Sequence, residues 1–530
     1  MKSNGKIIDA RSTSDSVLAA IKSDIIIIGS GAAACAMATR LLDRGLQVTM
    51  LEAGDFLVDS DSSRFYAMNR QEPFGLSLQI GGATNLWSGR VAPLESRDIT
   101  TSRGWPFELS EIEPYYGQAA ELLKVRPTHS LAEIAPYEGS SPKWKEFLQD
   151  RSVSIKRFQW NRPTFNGLVH LKALASRYSN LTLIYNCRAL KLLSDELGRR
   201  VHFVLAAIGT DKTVQFSAEF FALCAGGLEN PRIMLNSRST GGFLANDNIG
   251  RYFSGHPKAN VGRIHLFRPV RARSPLFCDI ETSDGAFRFG IGLTANETEN
   301  AIPLNHYVQL SPKFESIGFR LLEHAQHIVG GTTRYSRENS PAKNVVRHVV
   351  TAASALGQLL FNLIGKVGLL GKGGSVLVVR GFFDQEPNAE NRIELTEELD
   401  PYGMRKGRVK WSITREDQQT IEDFLSELSS LLSKHEIGVL KSDLPPVGHP
   451  WSLTEIHSHF MGTTRMGLNP HDSVTDGDGR VHGVENLYVG GSSLFTTYGY
   501  ANPVLTIMAL ALLTADKICE RLHTKTGAIH

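Results

Sequence analysis

Four consecutive isoleucines, Ile25 to Ile28, run straight into Gly29-Ser30-Gly31, and this junction constrains the fold more than any other segment of the chain. An unbroken β-branched run suits a strand buried on both faces, as in a parallel sheet covered by helices. The alanine-rich stretch from Ala32 to about Asp43 then reads as a helix, with Gly29, Gly31 and Ala34 on the three small positions of G-x-G-x-x-A. Gly29 permits the tight turn, Gly31 lets a pyrophosphate approach the backbone, and Ala34 keeps helix and strand close. Ser30 and Ala32 complete the loop, and the helix N-terminus turns its free N–H groups toward the anion. A second strand, Gln47 to Leu51, ends in Glu52. An acidic residue about 20 positions after the glycines can accept hydrogen bonds from an adenosine ribose and disfavours a 2′-phosphate. NAD and FAD both fit this fingerprint, so it leaves the dinucleotide open.

Composition narrows the class. The 530 residues are 42% hydrophobic, enough to exclude disorder, and 57 basic against 54 acidic side chains argue against a dedicated nucleic-acid binder. That balance fits an enzyme for neutral, hydroxylated substrates. Five cysteines without C-x-x-C spacing suggest reduced, inert thiols rather than a disulfide framework or a zinc cage. Met1 to Lys22 has no apolar core of a secretory signal, which makes a cytoplasmic location the expectation. Between Val345 and Leu370, Arg347, Thr351, Ser354, Gln358 and Asn362 draw a polar stripe along an otherwise apolar helix. That pattern is amphipathic rather than membrane-spanning, and suits a packed helix or lid, or a partner or membrane-surface contact.

Three further glycine-marked segments bear on the choice of dinucleotide. Gln79 to Arg90 is a glycine-led loop carrying Trp87; Phe220 to Gly227 closes a strand and precedes a helix from about Glu229; Leu487 to Gly491 repeats the pattern near the C-terminus. An apparent hairpin turn lies at Gly209 to Lys212. Asn502-Pro503 then opens an apolar helix to about Ile518, with Asn502 read as N-cap and Pro503 as its first helical residue.

Together these segments resemble the glucose-methanol-choline family of FAD-dependent oxidoreductases, over nearly the whole chain. The markers are the first glycine turn with Glu52, Gly81-Gly82-Ala83-Thr84-Asn85-Leu86-Trp87, Gly104-Trp105-Pro106 with Glu113-Pro114-Tyr115-Tyr116, and Ala225-Gly226-Gly227 with Asn230-Pro231. Gly255-His256-Pro257, His459-Phe460-Met461-Gly462-Thr463 and Asn502-Pro503 follow in the family's order. Within the family the chain is most similar to the branch of pyranose oxidases and bacterial sugar dehydrogenases.

The resemblance implies an α/β fold: a Rossmann-like FAD-binding domain from discontinuous segments (1–95, 165–258 and 468–530) and an α+β substrate domain with an antiparallel sheet (96–164 and 259–467). It implies His459 as catalytic base and Asn502 as its partner at the substrate hydroxyl. It extends cofactor contact from Gly29, Ser30, Gly31, Ala32 and Glu52 to Gly82, Asn85, Trp87, Ala189, Ala225, Gly491 and Pro503. Relatives that attach FAD covalently have a histidine where this chain has Leu86, so dissociable FAD is expected. Relatives with an aspartate after the N-L-Y-V strand differ from this chain, which has Gly491 and must use backbone N–H groups there. His457 with His459 forms H-x-H, but without further clustered ligands no metal is expected. His256 and the strand around Asn391 to Ile393 read as scaffold. The implied reaction oxidises a CH–OH group of a sugar, glycoside or polyol, with oxygen or another carrier as electron acceptor and a homo-oligomer as one arrangement. The alternatives are a flavin-containing lyase on the same fold and an NAD-dependent dehydrogenase.

Overall fold

The computed structural model describes residues 4–67, 76–127, 141–238, 245–270, 274–283, 285–294, 304–312, 374–451 and 459–527. The amphipathic segment 345–370 and His457 lie outside them.

Ile25–Ile28 is buried along its whole length near the middle of a six-stranded parallel sheet. The strand order is Lys6–Asp9, Leu181–Tyr185, Val48–Leu51, Ile25–Ile28, Phe220–Leu223, Leu487–Val489. The helix Ala32–Asp43 crosses from Ile25–Ile28 to its parallel neighbour Val48–Leu51, which completes the expected β–α–β unit. Strands drawn from four distant parts of the chain therefore lie side by side. The three that close in glycines, Ile25–Ile28, Phe220–Leu223 and Leu487–Val489, are adjacent in that order. Ligands of open parallel sheets bind beyond the carboxyl ends of such strands.

A second, seven-stranded sheet runs Ile280–Thr282, Gly285–Leu293, Tyr307–Pro312, Gly374–Phe382, Lys258–Val270, Gly438–Ser442, with Val153–Trp160 paired to Gly285–Leu293. Its pairings are antiparallel. The helix Arg415–Lys434 covers it, burying Ile421, Leu425, Leu428 and Leu432 at steps of three and four. Thr414 and Asp417 close a reciprocal capping box at that helix's start.

The expected elements are present, with shifted ends. The hairpin is formed by Val201–Ile208 and Lys212–Phe216. The helix expected from Glu229 begins three residues earlier, at Gly226, because Asn230 Oδ1 holds the Ala225 N–H at 2.8 Å and so fixes the turn that enters it. The last helix runs Val504–Gly527, well past Ile518. Its first bond joins the Ile507 N–H to the Pro503 carbonyl, so Pro503 holds the capping position and Asn502 precedes the helix rather than capping it. Within 96–164, Trp105, Ile112, Tyr116 and Leu123 pack into the core of the parallel sheet, while Trp144, Phe147 and Val153 join the core of the antiparallel one.

Candidate active site

The first glycine turn is shaped as a phosphate cradle. Gly29 sits at φ +102°, and a Cβ there would stand 2.5 Å from the Cys224 carbonyl of the neighbouring strand end. A Cβ on Gly31 would meet nothing within 4 Å, so the space before the helix is open. The helix Ala32–Asp43 has no side-chain cap, and its first N–H groups remain available. Gly82 approaches this turn so closely that its Cβ would lie 3.3 Å from Gly31. Gly491, at φ +117°, and Gly226, at φ +87°, border the same strand ends with little or nothing on their Cβ side.

Ser30 is buried and donates its hydroxyl to Glu52 Oε2 at 2.5 Å, while accepting the Gly81 N–H at 2.9 Å. Glu52 Oε1 accepts the Gly54 N–H at 2.8 Å. Burial pushes the Glu52 carboxyl up, against the opposing pull of these donors. Ala189 lies in the Arg188–Ser194 strand and Ala225 at the entry to the helix Gly226–Ser237. Asn85 is committed to backbone, donating to the Ile80 carbonyl and accepting from Leu168 N–H. Trp87 Nε1 likewise donates to the Phe165 carbonyl at 2.8 Å. These two side chains hold the glycine-led loop in shape. Leu86 is 60% exposed.

A cavity of about 830 Å³, including its open mouth, lies against the antiparallel sheet, with Tyr307, Gln309, Arg380 and Phe382 on one wall. Asn502 and Tyr500 approach it from the last helix's entry, Lys258 from the first residue of the strand Lys258–Val270, His256 from the turn just before that strand, and His459 from the H-F-M-G-T segment. His256 faces His459 because Ser254 and Met461 form an antiparallel bridge, exchanging N–H groups and carbonyls, and the histidines lie two residues further along in the same register. Their Nδ1 atoms are 2.9 Å apart, so one must donate and the other accept.

The second nitrogen of His256 decides which. His256 Nε2 lies 3.4 Å from the Tyr498 carbonyl, which can only accept, so Nε2 carries the proton. His256 Nδ1 is then the acceptor, His459 Nδ1 the donor, and His459 Nε2 keeps a lone pair that meets no donor among the described residues. Burial lowers the pKa of His459 well below the usual histidine value, with His256 and Lys258 adding to the shift. Burial likewise brings His256 to about 4. Both rings are neutral at pH 7. The Asn502 amide, half-buried at the cavity, makes no hydrogen bond to the described residues.

Several marker residues with no chemical role build this geometry. A Cβ on Gly227 would collide with the Phe460 carbonyl, so only glycine lets the His459 segment lie against the helix Gly226–Ser237. Pro231 has no N–H to give the Gly227 carbonyl, and Thr463 Oγ1 takes that acceptor instead at 2.7 Å. Asn230 ties the same helix to Gly490 and Ser493. None of these cross-contacts is visible in local periodicity. The early pairing of Gly226-Gly227 with Asn230-Pro231 and the later H-F-M-G-T were the available signal, read above as markers rather than as two halves of one joint.

Comparison with known proteins supports this architecture. Residues 387–511 match the family described as GMC oxidoreductase. Paromamine 6'-oxidase from Streptomyces fradiae is 22% identical, across 95% of this chain and 93% of its own length. C-glycoside 3-oxidase from Arthrobacter globiformis is 32% identical over 28% of each chain. The crystal structure of pyridoxine 4-oxidase from Mesorbium loti superposes with a TM-score of 0.59 at 16% identity, covering 94% of this chain and 99% of that one.

Proposed function

Taking the chain as the GMC oxidoreductase that its C-terminal domain and full-length relatives make it, we propose that it binds FAD non-covalently and oxidises a CH–OH group of a sugar, glycoside or polyol to a carbonyl. The observation that carries this reading is the lone pair on His459 Nε2, uncommitted among the described residues, at a cavity that Asn502 also lines just before the last helix.

Bound FAD supplies, at N5, the acceptor for the hydride that leaves the substrate carbon. His459 Nε2 takes the hydroxyl proton, and its depressed pKa keeps it in the accepting form. His256 holds that tautomer by accepting from His459 Nδ1. Asn502 orients the hydroxyl and stabilises the developing alkoxide by donating from its uncommitted amide. Gly29, Ser30, Gly31 and Ala32 bind the pyrophosphate, Glu52 the ribose, and the first-turn N–H groups following Pro503 favour negative charge at the entry of the last helix. Leu86, having no nucleophile, leaves the cofactor dissociable. In this division the parallel sheet carries the cofactor and the antiparallel sheet the substrate. Among the described residues no helix is long and apolar enough to cross a membrane.

Incubation with candidate sugars and polyols plus an artificial two-electron acceptor tests the reaction. The expected outcome is one hydrazine-trapped carbonyl for each acceptor reduced. Cleavage of a cyanohydrin without acceptor reduction would instead select the lyase, and reduction of added NAD by a colourless protein the nicotinamide enzyme.

A further inference from the structure

The two tyrosines at the cavity spend their ring faces on packing and keep their hydroxyls. Tyr307 is stacked on its cross-strand neighbour Phe382, with centroids 4.7 Å apart and planes 10° from parallel. On the other side Phe158, from Val153–Trp160, lies 5.0 Å away. Gly290, on the strand between, makes room for this, since a Cβ there would stand 2.5 Å from the Tyr307 ring. Tyr500 stands edge-on to both Tyr307 and Phe158, at 5.7 Å from each. Its own face carries Lys156 Nζ at 4.6 Å from the centroid. Lys156 is fully buried and bonded to both carboxylate oxygens of Glu95, at 2.7 and 2.8 Å, so the ring above it is held in place.

Tyr307, Tyr500 and Gln309 are 2%, 5% and 8% exposed, and all three line the cavity. None of their side chains makes a hydrogen bond to the described residues. Buried phenols and amides ordinarily have partners, and leaving one without is costly, so whatever fills the cavity must answer them. Burial pushes both phenols up, so each keeps its proton and can donate as well as accept. The Gln309 amide also does both, and the group that matches such sites is another hydroxyl. Their placement follows the reaction side. Tyr500 precedes Asn502 by two residues, its ring adjoins that of Tyr307, and Gln309 lies on the same sheet face as Tyr307, about 7 Å further along the strand.

From this placement, and resting on the function proposed above, we propose that Tyr500, Tyr307 and Gln309 are specificity-determining residues that hold further hydroxyls of the substrate and so restrict oxidation to polyhydroxylated compounds. Tyr500 takes the hydroxyl nearest the reacting carbinol, and Tyr307 and Gln309 take more distant ones. A monohydric alcohol can reach His459 but leaves all three groups unanswered, which is the situation in which a site rejects an analogue most strongly.

Anaerobic stopped-flow reduction of the flavin-loaded protein tests this, with D-glucose, D-galactose and myo-inositol against cyclohexanol. At least one of the three is expected to reduce the flavin with an efficiency on the order of 10² or more above cyclohexanol. For that compound, the series of single deoxy analogues should include at least one that loses about tenfold or more. Tyr500→Phe keeps the ring over Lys156 and should lower the efficiency about tenfold through apparent affinity, with a smaller change in the limiting rate. The same variant should not penalise the deoxy analogue that lacks the hydroxyl it contacts, whereas a packing role would penalise both alike. Gln309→Leu should show the same pattern at a different hydroxyl. Reduction by cyclohexanol as efficient as by the best polyhydroxylated compound, or losses in both variants that are equal for every analogue, would overturn the assignment and leave the oxidoreductase reading intact. Absence of reduction by all of these compounds would overturn both.

Discussion

The cradle around Gly29 and the reaction side around His459 are built by opposite means. The cradle is local: one strand, one turn, one helix and one further strand, all between Ile25 and Glu52, with backbone N–H groups as the working parts. The reaction side is assembled from His256, His459 and Asn502, and its working parts are side chains whose protonation depends on each other. Apart from its glycines and Glu52, a backbone site tolerates changes in side chains. A tautomer chain fails when one member is replaced.

His459→Ala is expected to show the largest effect. FAD should stay bound, while flavin reduction measured by stopped flow falls by on the order of 10² to 10⁴. An unchanged rate would contradict the base assignment and erase the contrast between the two sides.

His256→Ala should lower the same rate by about ten- to a hundredfold, because His459 loses the acceptor that fixes its tautomer. His256→Asn, which can still accept at Oδ1, should recover part of it, whereas a purely packing role would let a bulkier apolar residue do so. The pH profile carries the same test. A lowered histidine pKa means that the neutral, proton-accepting form persists as pH falls, so wild-type flavin reduction should stay flat from pH 8 to below 6.5 and decline only beneath that. Removing His256, whose presence lowers the His459 pKa, should move the decline to higher pH. A wild-type decline already centred above 6.5 would contradict the burial-driven shift.

Glu52→Ala should act on the other side alone. FAD affinity, measured by equilibrium titration of the apoprotein, is expected to drop about tenfold, with flavin reduction at saturating FAD unchanged. Thr463→Val is the smallest change and the one that joins the two regions. Losing the bond to the Gly227 carbonyl should cost about 1 kcal/mol in urea unfolding, with a modest loss of reduction rate as the His459 segment loosens.

What could be read in advance follows the same division. Ile25 to Glu52 declared its strand, turn and helix because each is dictated by neighbours within a few residues, and the helix ends where expected, at Asp43. The Asn502-Pro503 boundary was one position out, since a proline suits both the capping position and the first turn, and only the bond from Ile507 distinguishes them. His256 read as scaffold because its importance comes from a bridge between Ser254 and Met461, residues whose proximity no local pattern encodes. Asn85 and Trp87 are assigned to cofactor contact by their loop, and what no local pattern announced is that their polar atoms also tie that loop to the backbone of Phe165 and Leu168.

The central claim is that a flavin cradle and a neutral histidine base serve one oxidation. It is tested most directly by the visible spectrum of the purified protein under anaerobic titration with sugars, glycosides and polyols. Flavin bands that bleach with at least one of these compounds, and return on admission of oxygen or an artificial acceptor, are the predicted result. A colourless protein that takes up no FAD, or a flavin that none of them reduces, would contradict it.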